Sequence, residues 1–71
     1  MDFEDHWMRD MFAYQHLPEH LKFVSKPFYE LAEEMVTNLP TENSIELTEQ
    51  MLTKLWEAKN LAVVMAAQYG D

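Results

Sequence analysis

The sequence predicts an all-α protein, in which a short N-terminal helix precedes an antiparallel two-helix hairpin that assembles into a homo-oligomer. Three observations predict this fold. Apolar residues recur every three or four positions along most of the chain, which places them on one face of a helix. The 71 residues include one glycine and three prolines, which leaves few signals for β-hairpin turns. The last predicted helix carries two apolar stripes and therefore needs two packing partners.

Length and charge limit the possible functions. Residues 1–71 form a single domain, and a core of this size gives little stability unless disulfides, metals or partner chains add to it. The chain has no cysteine, so disulfides cannot supply the missing stability, and the absence of cysteine fits a reducing cytoplasm. Thirteen acidic residues against five Lys and Arg give a net charge of −8, which opposes binding to DNA or an anionic membrane. We therefore expect a cytoplasmic protein that binds neither.

The first predicted helix covers about residues 2–14. Asp2 is placed to cap it, and acidic side chains follow in the first turn, where the helix dipole favours them. The helix should end near Tyr14, because the residue before Pro18 is pushed away from helical geometry. The apolar residues at helical spacing are Phe3, Trp7, Met8 and Met11.

The first arm of the hairpin is predicted over about residues 19–38, with Pro18 suited to its first turn. Its apolar stripe keeps its phase through Pro27. This favours one kinked helix, or two nearly coaxial pieces with Ser25 capping the second. A polar turn at 39–43 then reverses the chain. The stripe consists of Leu21, Val24, Phe28, Leu31, Met35 and Leu39.

The second arm is predicted over about residues 44–69, beginning at a cap, Asn43 or Ser44, and stopping at Gly70. One of its stripes should pack on the first arm and the other on a second copy of the chain. The first stripe consists of Ile45, Thr48, Leu52, Leu55, Ala62 and Ala66. The second stripe consists of Leu47, Met51, Ala58, Leu61 and Met65.

Metal binding and catalysis have little support in the sequence. His16 and His20 have the spacing of two metal ligands on a helix, but Pro18 lies between them and no third ligand is spaced to join them. There is no cysteine nucleophile and no serine in a glycine elbow, and the chain is too short to enclose a dry pocket within one protomer. We expect no metal, no cofactor and no enzymatic activity.

Aromatic and polar side chains collect at the corner between the first helix and the hairpin. Phe12, Tyr14 and His16 could stack on a base there. Lys26, with Ser25 beside it, could contact a phosphate. In the alternative interpretation the rings only pack the first helix on the hairpin and Lys26 is solvated, and the residues taken alone favour this alternative.

Several short motifs in order resemble a known family over most of the chain, from about residue 12 to residue 66. They are Phe12-Ala13-Tyr14 with the nearby Pro18, the Lys-x-Phe-x-x-Leu-Ala segment at 26–32, Leu39-Pro40, and Thr53-Lys54-Leu55-Trp56-Glu57-Ala58-Lys59-Asn60. In this order they resemble the hairpin domain of phage anti-CBASS cyclic-oligonucleotide sponges, which are related to anti-Thoeris sponges.

The resemblance implies a phage anti-defence protein that acts in the host cytoplasm. Such a protein sequesters cyclic di- or trinucleotide immune messengers without cleaving them, and so blocks activation of CBASS effectors. The family resemblance also implies a compact homohexamer with pockets between protomers. Carried over to this chain, Tyr14 would stack on a base and Lys26 would contact a phosphate. Lys54, Lys59 and Asn60 would be weaker candidates for a second pocket.

Two other functions remain open from the sequence. The chain could be an acidic helical protein-interaction inhibitor, or a DNA mimic, that binds a basic host protein. It could also be a regulatory hairpin that merely dimerises and binds no ligand. The carboxylates available to a basic partner are Glu30, Glu33, Glu34, Glu46 and Glu49.

Overall fold

The computed structural model describes residues 2–69, and the regular secondary structure of these residues is helical, with no strand. The two long helices, α1 (Glu19–Asn38) and α2 (Ile45–Tyr69), pack against each other as a hairpin. The described chain measures 42 × 18 × 17 Å, the dimensions of two helices side by side. The predicted stop at Gly70 lies outside the described residues.

Both ends of α1 and the start of α2 agree with the sequence prediction. α1 begins directly after Pro18 and continues as one helix through Pro27. The turn contains a single 3₁₀ turn, Thr41–Asn43. Ser44 caps α2, because its Oγ accepts a hydrogen bond from the backbone N–H of Leu47 at 3.1 Å.

The N-terminal segment (residues 3–12) differs from the predicted helix. It forms two 3₁₀ turns, Phe3–Asp5 and Trp7–Phe12, separated by an extended residue, His6, whose Nδ1 accepts a hydrogen bond from the backbone N–H of Met8 at 3.1 Å. In a continuous α-helix, residues 3, 8 and 12 would not share one face. The break at His6 allows Phe3, Met8 and Phe12 all to be buried.

The buried face of α1 is displaced by one position from the predicted stripe. Ser25, Ala32 and Val36 are buried, whereas Leu31 and Leu39 remain 45% and 46% exposed. The prediction placed the large apolar residues at the centre of the interface. Small side chains instead occupy that centre at Ser25 and Ala32, where they permit close approach of another element, and the larger residues lie on either side.

The core joins the N-terminal segment to the hairpin. Half of its fully buried apolar side chains belong to the segment, and the rest belong to α1 and α2. These are Phe3, Met8, Phe12, Ala32, Val36 and Leu52. Lys59 adds a polar link, since its Nζ donates a hydrogen bond of 2.6 Å to the backbone carbonyl of Met11, 48 positions away.

The two predicted stripes of α2 have different environments. In the first stripe Leu52 and Thr48 are buried, although Ile45 at its start is exposed. The second stripe forms an uncovered apolar face (Leu47, Ala58, Leu61 and Met65), on which Leu61 and Met65 are 67% and 64% exposed. Met51, the remaining member of this stripe, is partly buried against the core. Near the turn, Leu47 and Met51 line a cavity of about 280 Å³ together with Leu39. The described chain alone leaves this face without a packing partner.

Candidate functional site

A cavity of about 350 Å³ lies where the corner meets the start of α1. Its α1 residues are three or four positions apart, so they share one side of the helix. The cavity brings together two of the sequence-predicted site residues, Tyr14 and Lys26. Its lining consists of Tyr14, Glu19, Lys22, Phe23 and Lys26.

Tyr14 is half-buried and held in place by the fold. Its ring packs edge-to-face against the ring of Tyr29 on α1, with 5.7 Å between ring centroids. Its backbone carbonyl accepts a hydrogen bond of 3.0 Å from the N–H of Leu17, which closes the corner. The ring is therefore fixed before any ligand arrives.

Two lysines and one glutamate line this cavity, so its formal charge is positive although the chain is acidic. Lys22 and Lys26 are two of the five basic residues in the sequence. Lys22 forms an ion pair of 3.5 Å with Glu19, whose side chain is almost fully exposed. The N-terminus of α1 adds positive potential, because Pro18 at the cap position supplies no side-chain hydrogen bond to the free N–H groups of the first turn. An anionic group is the ligand that these features favour.

Three other candidates from the corner lie elsewhere. Phe12 is completely buried, with its ring edge-to-face on Phe3 at 5.7 Å between centroids, so it packs the core. Ser25 is also completely buried, and its hydroxyl has no hydrogen-bond partner within the described chain. His16 is exposed and does not line the cavity. The packing interpretation therefore describes Phe12, and it also describes Tyr14 in part, because the Tyr14 ring packs on Tyr29 while it lines the cavity. Lys26 is exposed, as that interpretation predicted.

The candidates for a second pocket are separated from one another. Lys59 is only 9% exposed, and its ammonium lies 6.0 Å from the centroid of the Phe12 ring in addition to its bond to Met11. Burial lowers the pKa of Lys59. Lys54 is exposed, and Asn60 lines a separate cavity of about 310 Å³. Lys59 would have to leave the core to contact a ligand.

Three residues of the cavity, Glu19, Lys22 and Phe23, were missed by the sequence reasoning. Lys22 lies one turn before Lys26, so the i,i+4 spacing of the two lysines was a signal that could have found it. Phe23 is 84% exposed, and its aromatic ring offers a second flat surface. A phenylalanine in a helix is expected to be buried, so the residue type does not indicate this exposure.

Residues 2–69 contain no group of three or more His, Cys, Asp or Glu side chains placed to hold a metal ion. Within the same residues, no helix combines the length and apolar character needed to cross a membrane. The chain matches no protein-family model, and neither a curated protein nor a solved structure is significantly similar to it.

Proposed function

We propose that this chain is a non-enzymatic phage anti-defence protein that binds cyclic di- or trinucleotide immune messengers in the host cytoplasm, leaves them intact and so blocks activation of CBASS effectors. One observation carries the proposal. Tyr14 and Lys26, which the sponge resemblance assigns to a base and a phosphate, line the same cavity. They are twelve positions apart in the sequence, and α1 brings them together because it begins directly after the corner.

The cavity offers a matching group for each part of a nucleotide. Tyr14 and Phe23 offer rings on which a base can stack, an interaction worth about 1–3 kcal/mol per base. Lys22, Lys26 and the free N–H groups of the first turn of α1 can contact phosphate oxygens. The exposed pair between Lys22 and Glu19 contributes at most about 1 kcal/mol, so a phosphate can replace Glu19 as the partner of Lys22.

Because the chain has a net charge of −8, we expect it to attract an anionic nucleotide only at contact distance. At physiological ionic strength, charges more than about 8 Å apart in solvent are largely screened. The acidic remainder of the chain therefore slows approach of an anion more than it opposes an anion already in the cavity. Binding should depend on the two lysines and weaken as salt concentration rises.

We further propose that the pocket is completed by assembly into a homo-oligomer, with the hexamer that the resemblance implies as the expected state. Ligand pockets commonly measure about 300–1,000 Å³, and a cavity of about 350 Å³ lies at the lower end of that range. The uncovered apolar face of α2 supplies a surface for a second copy. Leu61→Glu should therefore lower the mass measured by light scattering, whereas Ala67→Glu, which adds the same charge at an exposed residue on another side of α2, should leave it unchanged.

Calorimetric titration with a panel of cyclic di- and trinucleotides tests ligand binding directly. Tyr14→Ala should weaken binding about 5- to 150-fold, the equivalent of one lost base stack, while Tyr14→Phe retains the ring and should bind nearly as well. Lys26→Ala should also weaken binding. Heat denaturation of the complex should release intact ligand. No heat with any member of the panel would refute the proposal.

A second function is favoured by a different observation. A cavity of about 540 Å³ between the N-terminal segment and the turn end of α1 is lined by five carboxylates, Asp2, Glu4, Glu30, Glu33 and Glu34. A basic host protein is the partner that fits such a surface. Capture of a basic protein that is lost when Glu30, Glu33 and Glu34 are changed to Lys, and is unaffected by Tyr14→Ala, would favour this inhibitor over the sponge.

A further inference from the structure

A further cavity, of about 400 Å³, lies between the N-terminal segment and the hairpin turn. This Trp7 cavity shares no residue with the Tyr14 cavity, so a ligand in the Trp7 cavity would bind independently of a nucleotide at Tyr14. Its walls combine apolar surface with carboxylates and include no Lys or Arg. The lining consists of Asp5, His6, Trp7, Thr41, Glu42, Ile45, Thr48 and Glu49.

Trp7 forms an exposed but fixed wall of this cavity. Its indole N–H donates a hydrogen bond of 2.8 Å to Glu49 Oε2, and its ring stacks on the imidazole of His6 with centroids 6.1 Å apart and planes at 23°. The side chain nevertheless remains 65% exposed. A tryptophan face is the aromatic surface that attracts cations most strongly. Ile45, also exposed, extends the apolar wall.

Three carboxylates line the cavity beside this ring, on Asp5, Glu42 and Glu49. The bond from Trp7 occupies only one oxygen of Glu49, which leaves Oε1 able to accept from a ligand. Because no Lys or Arg lines the cavity, no permanently charged cation there offsets the three formal negative charges. The cavity therefore favours a positive ligand.

An unsatisfied hydroxyl adds a further signal. Thr41 is buried where it lines the cavity, and its Oγ1 has no hydrogen-bond partner within residues 2–69. The neighbouring Thr48 differs, since its hydroxyl is shared between the backbone carbonyls of Thr41 at 3.2 Å and Ser44 at 2.8 Å. A buried hydroxyl without a partner destabilises the fold, so the wall of this cavity contains an unmet hydrogen-bonding group.

We propose that this cavity binds an organic cation, an alkylammonium or guanidinium group, with its charge near Glu42 and Glu49 and its alkyl part against Trp7 and Ile45. The apolar wall formed by Trp7 and Ile45 would not contribute to binding a hydrated metal ion. The described residues also contain no cluster of side chains placed to hold a metal ion. The same chemistry occurs in a free polyamine and in the side chain of a partner protein's lysine or arginine.

The fluorescence of Trp7 reports binding in a Trp56→Phe background, where it is the remaining tryptophan. Spermidine represents the polyamine source and N-acetyl-arginine amide represents the protein source. N-acetyl-citrulline amide, which replaces guanidinium by a neutral urea, is the matched control ligand. A saturable change is expected with one or both cations and none with citrulline. Response to spermidine alone identifies a polyamine site, and response to the arginine amide identifies a side-chain site.

Matched variants distinguish binding in the cavity from general attraction of a cation to the acidic chain. Glu42→Gln and Glu49→Gln should each weaken cation binding about tenfold. In Glu49→Gln the amide oxygen can still accept the hydrogen bond from the Trp7 indole N–H, so the wall of the cavity is kept. Glu46→Gln removes the same charge from an exposed residue outside the cavity and should have little effect. The NMR chemical shift of the Trp7 indole N–H, measured in the unmutated protein, provides a second readout of binding. No saturable response, or equal weakening by Glu46→Gln, would overturn the proposal.

Discussion

Replacing Lys59 by methionine should destabilise the fold by about 2 kcal/mol, because it removes the hydrogen bond that links the N-terminal segment to α2. The lost hydrogen bond joins a charged donor to the Met11 carbonyl at 2.6 Å, and such bonds contribute about 1.5–3 kcal/mol. The contact with the Phe12 ring adds a smaller cation–π term. Methionine keeps the apolar part of the side chain packed and removes the cost of burying an ammonium group. The net loss of stability should therefore lie in the lower half of the range of about 1.5–3 kcal/mol.

The assay is urea and thermal unfolding followed by circular dichroism. A chain of this length is stable by about 4–11 kcal/mol, so the loss is a large fraction of the total. For domains of this size it corresponds to a fall in Tm of about 8–16 °C. Lys22→Met is the matched control, because its ion pair with Glu19 is exposed and should contribute at most about 1 kcal/mol. Equal stability of the two variants would refute the role of Lys59 in holding the segment.

Three further predictions concern the fold. Leu52→Ala should lower the free energy of unfolding by about 2–5 kcal/mol in urea titrations, because Leu52 is fully buried where the three parts of the core meet. Ser44→Ala should cost about 1 kcal/mol in the same assay, because it removes the cap of α2. Burial lowers the pKa of Lys59 from 10.5, so the unfolded state binds more protons and stability should rise with pH towards 10.5. Burial, and secondarily Glu33, raise the pKa of Tyr29 from 10.0, so stability should fall as pH passes 10.0. Unfolding midpoints between about pH 8 and 11 measure both trends, and Tyr29→Phe should leave only the rise.

Both ends of α1 and the start of α2 could be predicted because their signals are local. Pro18 fixes the start of α1, Leu39-Pro40 ends it, and the Ser44 side chain caps α2. Each signal acts within a few residues of the position that it determines. Tertiary contacts therefore did not have to be known.

The N-terminal segment could not be predicted in the same way. Its residues have helical spacing, yet its conformation depends on burying Phe3 and Phe12 against core residues of α1 and α2 that lie more than ten positions away in the sequence. That tertiary requirement outweighs the helical preference, and the break at His6 is the result. The displaced face of α1 has a similar origin, because a search for large apolar residues passes over the small Ser25 and Ala32.

The candidate site was predicted in part for a comparable reason. Tyr14 and Lys26 are joined by a corner and two helical turns, distances over which backbone geometry is largely set by the sequence. Whether Phe12 faces the corner or the core depends on how the segment packs. The contact between Lys59 and Met11 joins residues 48 positions apart, so no local sequence pattern indicates it.

The opposite charges of the two proposed sites are compatible because α1 separates them. Lys26 lies twelve residues before the end of α1, a distance of about 18 Å along the helix, and Glu42 lies beyond that end. Screening over about 8 Å makes the charges at the two ends nearly independent within one protomer. Glu42→Gln should therefore leave nucleotide binding unchanged in calorimetry, and Lys26→Ala should leave cation binding to Trp7 unchanged. Coupling between the variants would mean that assembly brings the two ends together from different copies of the chain.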